Sequence, residues 1–170
     1  PIPLEEVDFS KNIEGLYVSG TVYQIYDYYR ETFRLTGQQI SRDYVIKADD
    51  YHYMALQMRH TDFEQADTLM YATQSYLAGE DDGILLEDVR IEVIGVITKM
   101  SSQHEEAFEE YMDRENLGTH TRQFYLPYYI DTASQGTGRM AEAVSYIVAG
   151  IGNFLIGCLV LYVAHYMTEK

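Results

Sequence analysis

Residues 16–29 read LYVSGTVYQIYDYY. Val, Ile, Thr and Tyr dominate this run, and these are the residue types that fit a pleated, half-buried surface. Leu16, Val18, Gly20 and Val22 fall on one face, while Tyr17, Thr21, Tyr23 and Ile25 partly fill the other. The spacing predicts one long strand covered on both faces. Gly20 in its interior predicts a bulge or sharp coil, the device by which a strand bends into a small barrel.

Downstream, a polar loop at Thr36-Gly37-Gln38 leads to a second strand at Asp43–Lys47. A turn at Asp49-Asp50 precedes a third at Tyr53–Met58, and the three form a meander. Thr61 and Glu64 have the spacing of a capping box. Phe63, Ala66, Leu69, Met70, Thr73, Tyr76 and Leu77 then recur at three- and four-residue steps, a helix that stops at Gly79. Val89–Lys99 alternates again and predicts a fourth, central strand. Ser101 and Ser102 with Glu105 open a short helix carrying Ala107, Phe108, Tyr111 and Met112 and ending near Leu117-Gly118. Thr121–Thr132 reads as the last strand, with Pro127 implying an edge or bulged position because proline cannot donate to a ladder.

The expected domain organisation is an extended lead-in (1–15), an α+β domain (16–132), a flexible linker (133–142), an apolar helix (143–164) and a short tail (165–170). Five strands, a helix between the third and fourth and a short helix before the fifth resemble an OB-fold, the small five-stranded barrel. The expected fold class is therefore α+β, an OB-like β-barrel followed by a C-terminal transmembrane helix. The segments VDFSKNIEGLYVSGTVYQIYDYY, SRDYVIKADDYHYMAL and FEQADTLMYATQSYLAGE also resemble an uncharacterised family of membrane-anchored proteins from anaerobic gut Firmicutes. That resemblance implies an extracytoplasmic domain held between membrane helices, and it carries no activity or functional residue across.

Ala143–Ala164, AVSYIVAGIGNFLIGCLVLYVA, holds no acidic or basic side chain. As a helix it would reach roughly 33 Å, close to the ~30 Å hydrocarbon core of a bilayer. Ser145, Ala149, Asn153 and Gly157 fall every four residues on one stripe. Small residues let a second helix approach closely, and an amide in hydrocarbon gains by finding a partner. The stripe predicts a homo-oligomer or pairing with another membrane helix. Arg139 on one side and Lys170 on the other nearly cancel as a topology signal. The acidic, lysine-poor domain and the family resemblance favour the cell membrane with the domain on the extracytoplasmic side. An upstream signal or second membrane helix stays open.

Lys and Arg number 12 against 27 Asp and Glu, a net charge of −15. Such a field repels phosphate backbones, so nucleic acid is not an expected partner. The lone Cys158 lies in the apolar run, and no His pairs with another His or Cys at metal-ligand spacing, so neither a metal nor a cofactor is expected. Glu80-Asp81-Asp82-Gly83 is the best candidate for cation binding, since clustered carboxylates suit calcium, but it lacks the ligand pattern of an EF-hand loop and reads rather as a solvated turn. His104, beside Glu105 and Glu106, reads as a surface histidine at a helix start.

No nucleophile and base stand at a recognisable spacing, so no catalytic residue is assigned. Tyrosine supplies 17 residues and tryptophan none. Tyr23, Tyr26, Tyr28, Tyr44 and Tyr53 crowd the meander, where half-buried tyrosines either complete sheet packing or line a recognition face. The expected function is a membrane-anchored binding domain for a protein or envelope component. The alternatives are an envelope enzyme using carboxylates, and a structural subunit of a membrane complex.

Overall fold

The computed structural model of the chain describes residues 1–80, 83–115 and 125–132. Its strands are β1 (Ile2–Pro3), β2 (Tyr17–Val22), β3 (Ile25–Phe33), β4 (Gln39–Lys47), β5 (Tyr53–Arg59), β6 (Ile91–Lys99) and β7 (Tyr125–Asp131). Helices α1 (Phe63–Ala78), α2 (Leu86–Val89) and α3 (Ser102–Arg114) complete the set, with 3-10 turns at Leu4–Glu6 and His60–Asp62. All seven strands join one mixed sheet in the order β1-β2-β6-β7-β5-β4-β3. The pairs β1/β2 and β5/β7 are parallel, and the others antiparallel.

This corrects the expectation of a closed five-stranded OB-like barrel. Residues 16–29 are not one strand: the run breaks at Tyr23-Gln24, and its halves occupy distant places in the sheet, β2 against β6 and β3 against β4. Val18 and Val22 are buried at even positions, but Ile25, at an odd one, joins the same core cluster. A strand with a period of two cannot send both parities to one face, so the chain must leave the ladder between them. Among the described residues no ladder joins β2 to β3, and the sheet is open.

Interior glycines do a different job from the one expected of them. Gly20 keeps regular register opposite Val93. A Cβ there would stand 2.7 Å from Leu4 Cβ, so the glycine makes room for the first 3-10 turn. At Gly95 a Cβ would meet Ile130 Cγ2 at 2.5 Å and the Asp131 carbonyl oxygen at 2.8 Å, which permits the close passage of β7. Both are places where another backbone approaches.

The three peptide steps from Val22 to Ile25 span at most about 11 Å. The end strand β3 is therefore held near β2, the last strand but one at the other end of the order, and the sheet curls. Inside the curl lies one cluster drawing on β2 through β7, including Val18, Ile25, Ile46, Leu56, Val93 and Ile130. From α1 come Ala66, Leu69 and Met70, and from the first fifteen residues Leu4, Val7 and Ile13. On the outer face a second cluster forms under α3 from Val45, Ala55, Met100, Phe108, Tyr111 and Met112, with Tyr26, Tyr29, Tyr53, Tyr125 and Tyr129 against it.

The expected soluble helices are present, with one change at a terminus. The box at Thr61 and Glu64 does not form, because Thr61 belongs to a 3-10 turn and α1 begins after Asp62 with no side-chain cap. Gly79 ends α1 at φ 72°, with the N–H of Gly79 bonded to Tyr76 O and that of Glu80 to Ser75 O. Ser101 caps α3, its hydroxyl accepting from the His104 N–H at 3.3 Å. Pro127 sits in a central strand rather than at an edge. Between the pairs Tyr53/Tyr125 and Ala55/Tyr129, β7 uses four residues where β5 uses two, and this bulge absorbs the missing donor. Among the described residues no helix is long and apolar enough to cross a membrane. The apolar run 143–164 with Ser145, Ala149, Asn153 and Gly157, and the linker 133–142, lie outside the described residues.

Candidate functional site

A bulge in β3 creates the most unusual chemistry of the domain. Tyr28 pairs with Tyr44 and Arg30 with Asp43, so β3 advances two residues while β4 advances one. The bulge lets both Tyr29 and Arg30 reach the face covered by α3. There Tyr29 stacks on His104 with centroids 5.8 Å apart and packs on Phe108 at 5.1 Å. The Tyr29 hydroxyl and His104 Nε2 are 2.6 Å apart. Gln57 Nε2 donates to Asp43 Oδ1 at 2.9 Å. Asp43 Oδ2 stands 3.6 Å from Arg30 Nε and 3.6 Å from His104 Nε2, and it has no hydrogen-bond partner among the described residues.

Electrostatics sets the protonation of this group. Burial, with Arg30 adding to it, pushes His104 down to about 4. Burial raises the Asp43 carboxyl, an effect opposed by the Gln57 bond and Arg30 and reinforced by Asp131. Burial likewise raises Tyr29, which keeps its proton. The Tyr29 hydroxyl therefore donates to a neutral imidazole. Histidine and aspartate are both pushed toward their neutral forms, so desolvation outweighs their mutual attraction. Asp43 and His104 are buried and Tyr29 is largely so, while Arg30 is part-exposed. The arrangement fixes α3 on the sheet and holds a proton out of reach of solvent.

The five tyrosines expected to share a face do not. Tyr44 is fully buried in the inner cluster, its hydroxyl donating to Asp67 at 2.8 Å. Tyr28 packs edge-on to Tyr44 at 6.1 Å and covers Arg42, whose guanidinium lies 4.7 Å from the Tyr28 centroid and 4.6 Å from that of Phe63. Tyr26 and Tyr53 meet edge to face at 5.4 Å on the outer, α3-covered side. Tyr23, 52% exposed, opens onto a cleft.

That cleft, of about 450 Å³, is lined by Glu5, Thr21, Tyr23, Gln24, Lys47, Ala48, Asp49 and Asp50. The break between β2 and β3 supplies Tyr23, the first 3-10 turn supplies Glu5, and the β4–β5 turn supplies Asp49 and Asp50. Burial works against the charge of Asp49. A 2.7 Å bond from His52 Nδ1 and the N–H groups of Tyr51 and His52, each at 2.7 Å, outweigh it and hold the carboxyl below its ordinary value. The cleft combines an exposed aromatic ring with three acidic side chains and one lysine.

His104 and Asp43 escaped the sequence reading. The signal for His104 was present in the spacing of His104, Phe108 and Tyr111, an i, i+4, i+7 stripe that turns inward. Its neighbours Glu105 and Glu106 suggested a wet helix start instead. Asp43 sits in a strand buried on both faces, where a carboxylate is out of place. Among the described residues no group of three His, Cys, Asp or Glu side chains could hold a metal ion. Asp81 and Asp82 of the acidic loop lie outside them.

No curated protein and no solved structure matches the chain. A family model does, over residues 1–165. The resemblance to an uncharacterised family thus holds at that level, and the chain belongs to the family described as a domain of unknown function, DUF8577.

Proposed function

We propose that this chain is a membrane-anchored binding domain, held at the extracytoplasmic face of the cell membrane and taking a protein or envelope component at the Tyr23 cleft. The observation that carries the binding half is the cleft itself: an exposed tyrosine facing Glu5, Asp49 and Asp50 in a chain of net charge −15. A ring face beside carboxylates favours a partner that presents basic groups, which the field of the whole chain would also attract. The membrane half rests on the uncharged run 143–164 and on the resemblance to anchored proteins of gut Firmicutes. Within the run, Ser145, Ala149, Asn153 and Gly157 supply a pairing surface for a second helix.

The enzyme reading has one observation in its favour, the His104–Tyr29–Asp43 arrangement. Burial of its acid and its base favours a role in holding α3 instead.

Two experiments test the proposal. Protease treatment of intact protoplasts should remove the domain, and a domain left uncut contradicts the extracytoplasmic assignment. Blue-native electrophoresis with mass spectrometry should find the chain in a complex. Migration as a monomer, unchanged by Asn153→Leu, contradicts both partner and pairing.

A further inference from the structure

We infer that the β3–β4 hairpin tip is a second membrane contact, a wedge that rests in the lipid interface. The inference relies on the membrane anchoring proposed above. The hairpin closes with the Arg34 N–H donating to Gln38 O at 2.8 Å and the Gly37 N–H to Arg34 O at 2.9 Å. Gly37 takes φ 81°, which fits the glycine position of a short bulged hairpin loop. This tight turn leaves Phe33 54% exposed and Leu35 fully exposed on either side of Arg34. A hairpin tip carrying two open apolar side chains at the end of a ladder has nothing to gain from water.

Two further observations identify lipid as the occupant. The first is direction. Asp131, the last residue of β7, pairs with Gln57, and Gln57 pairs with Asp43. β3, β5 and β7 all run the same way, so the chain leaves β7 toward the end of the sheet that bears the hairpin. The hairpin extends beyond the level of Asp43 by four residues to Gln39, about 13 Å, before its turn. Ten residues, 133–142, can reach at most roughly 35 Å, more than that overhang.

The second is charge. Residues 28–42 carry Arg30, Arg34 and Arg42 against Glu31 alone, a basic segment in a chain of net charge −15. Arg42 and Arg30 are engaged with Glu31, Asp67 and Asp43, while Arg34 at the tip, its Nη1 3.4 Å from Gln38 Oε1, has no carboxylate partner among the ion pairs of the described residues and offers its charge to head groups while its stem lies along the interface. The Tyr23 cleft is at the other end of β4, where Lys47 closes the strand and the β4–β5 turn supplies Asp49 and Asp50. Seating the hairpin in lipid would keep that cleft clear of the membrane.

The absence of tryptophan allows a direct test. Leu35→Trp places the only tryptophan of the full chain at the tip, and Phe154→Trp places it within the apolar run. Each variant is reconstituted into vesicles of phosphatidylcholine and phosphatidylglycerol, with or without brominated acyl chains. The proposal expects blue-shifted emission and bromine quenching for both variants. Quenching at 154 with water-like, unquenched emission at 35 overturns the hairpin contact and leaves the anchor standing. Quenching at 35 but not at 154 keeps the hairpin contact and overturns the anchor, and quenching at neither overturns both. Phe33→Trp repeats the measurement on the neighbouring side chain should Leu35→Trp fail to fold.

Discussion

Asp43 Oδ2 and His104 Nε2 lie 3.6 Å apart, the first on a strand, the second on the helix that covers it, and both side chains are buried. At that distance they share no hydrogen bond, and each has its protonation settled by its surroundings. His104 accepts from Tyr29, Asp43 accepts from Gln57, and the space between them is bordered by Arg30. A buried polar group of this kind specifies how α3 sits on the sheet more than it adds to stability.

Acid should expose His104. Its folded value, about 4, is below the ordinary 6.5, so the unfolded chain takes up a proton where the folded chain does not. Stability from this group is lost as pH falls from 6.5 toward 4. The raised Asp43 carboxyl works in the opposite sense, since the folded chain protonates it first. Urea melts of the parent and His104→Gln should diverge across that window, with the parent losing about 3 kcal/mol relative to the variant. An imidazole titrating near 6.5 by NMR contradicts the assignment.

Replacing Asp43 separates charge from shape. Asp43→Asn keeps an acceptor for Gln57 and the shape of the side chain while removing its charge, and its stability should stay within about 1 kcal/mol of the parent. Asp43→Ala leaves Gln57 without its acceptor and Arg30 without its anion, and should cost about 2–3 kcal/mol. Equal losses in the two variants, read by chemical denaturation, argue against a carboxyl whose charge is opposed by its burial.

Sequence alone went far along local structure and fell short on connectivity. Periodicity located α1 and α3, and alternation located β4, β5 and β6, because each side chain's neighbours along one element decide those patterns. What misled was parity within residues 16–29. Val22 and Ile25 could not face one core, yet the β-branched and tyrosine content ran on unbroken and suggested one bent strand. The tyrosines divide between two faces for a related reason: in the meander, Tyr44 and Tyr53 have opposite parity relative to the β4–β5 register, which pairs Lys47 with Tyr53. His104 was hidden by its acidic neighbours although its stripe was visible.

Crowding between β6 and β7 should make Gly95 the less replaceable of the two sheet glycines. The Cβ of Gly95→Ala meets Ile130 and the Asp131 carbonyl in a central strand, where neither can retreat. A loss of about 2–3 kcal/mol is expected. Gly20→Ala instead displaces Leu4 in the first 3-10 turn and should cost less. Thermal melts giving the reverse ranking contradict the close passage of β7.

Arg42 should tolerate no conservative exchange. Its guanidinium is bonded to Glu31 at 2.9 Å and Asp67 at 2.8 Å while lying between the Tyr28 and Phe63 rings. Lysine offers a point charge without the planar fork or the stacking face. Arg42→Lys should lose about 1 kcal/mol or more, largely retained in high salt because the site is half-buried. A loss that salt abolishes would mean that the ion pairs alone mattered.

Site-specific photocrosslinking bears most directly on the proposed binding role. A benzoylphenylalanine at position 23 lies in the acidic cleft, and one at position 71, on α1, replaces another exposed tyrosine away from the cleft lining. In intact membranes holding the full chain, irradiation should give a discrete adduct from position 23 that Asp50→Lys abolishes, and none from position 71. Equal labelling from the two positions, or an adduct from position 23 that survives Asp50→Lys, would contradict a partner recognised at the Tyr23 cleft.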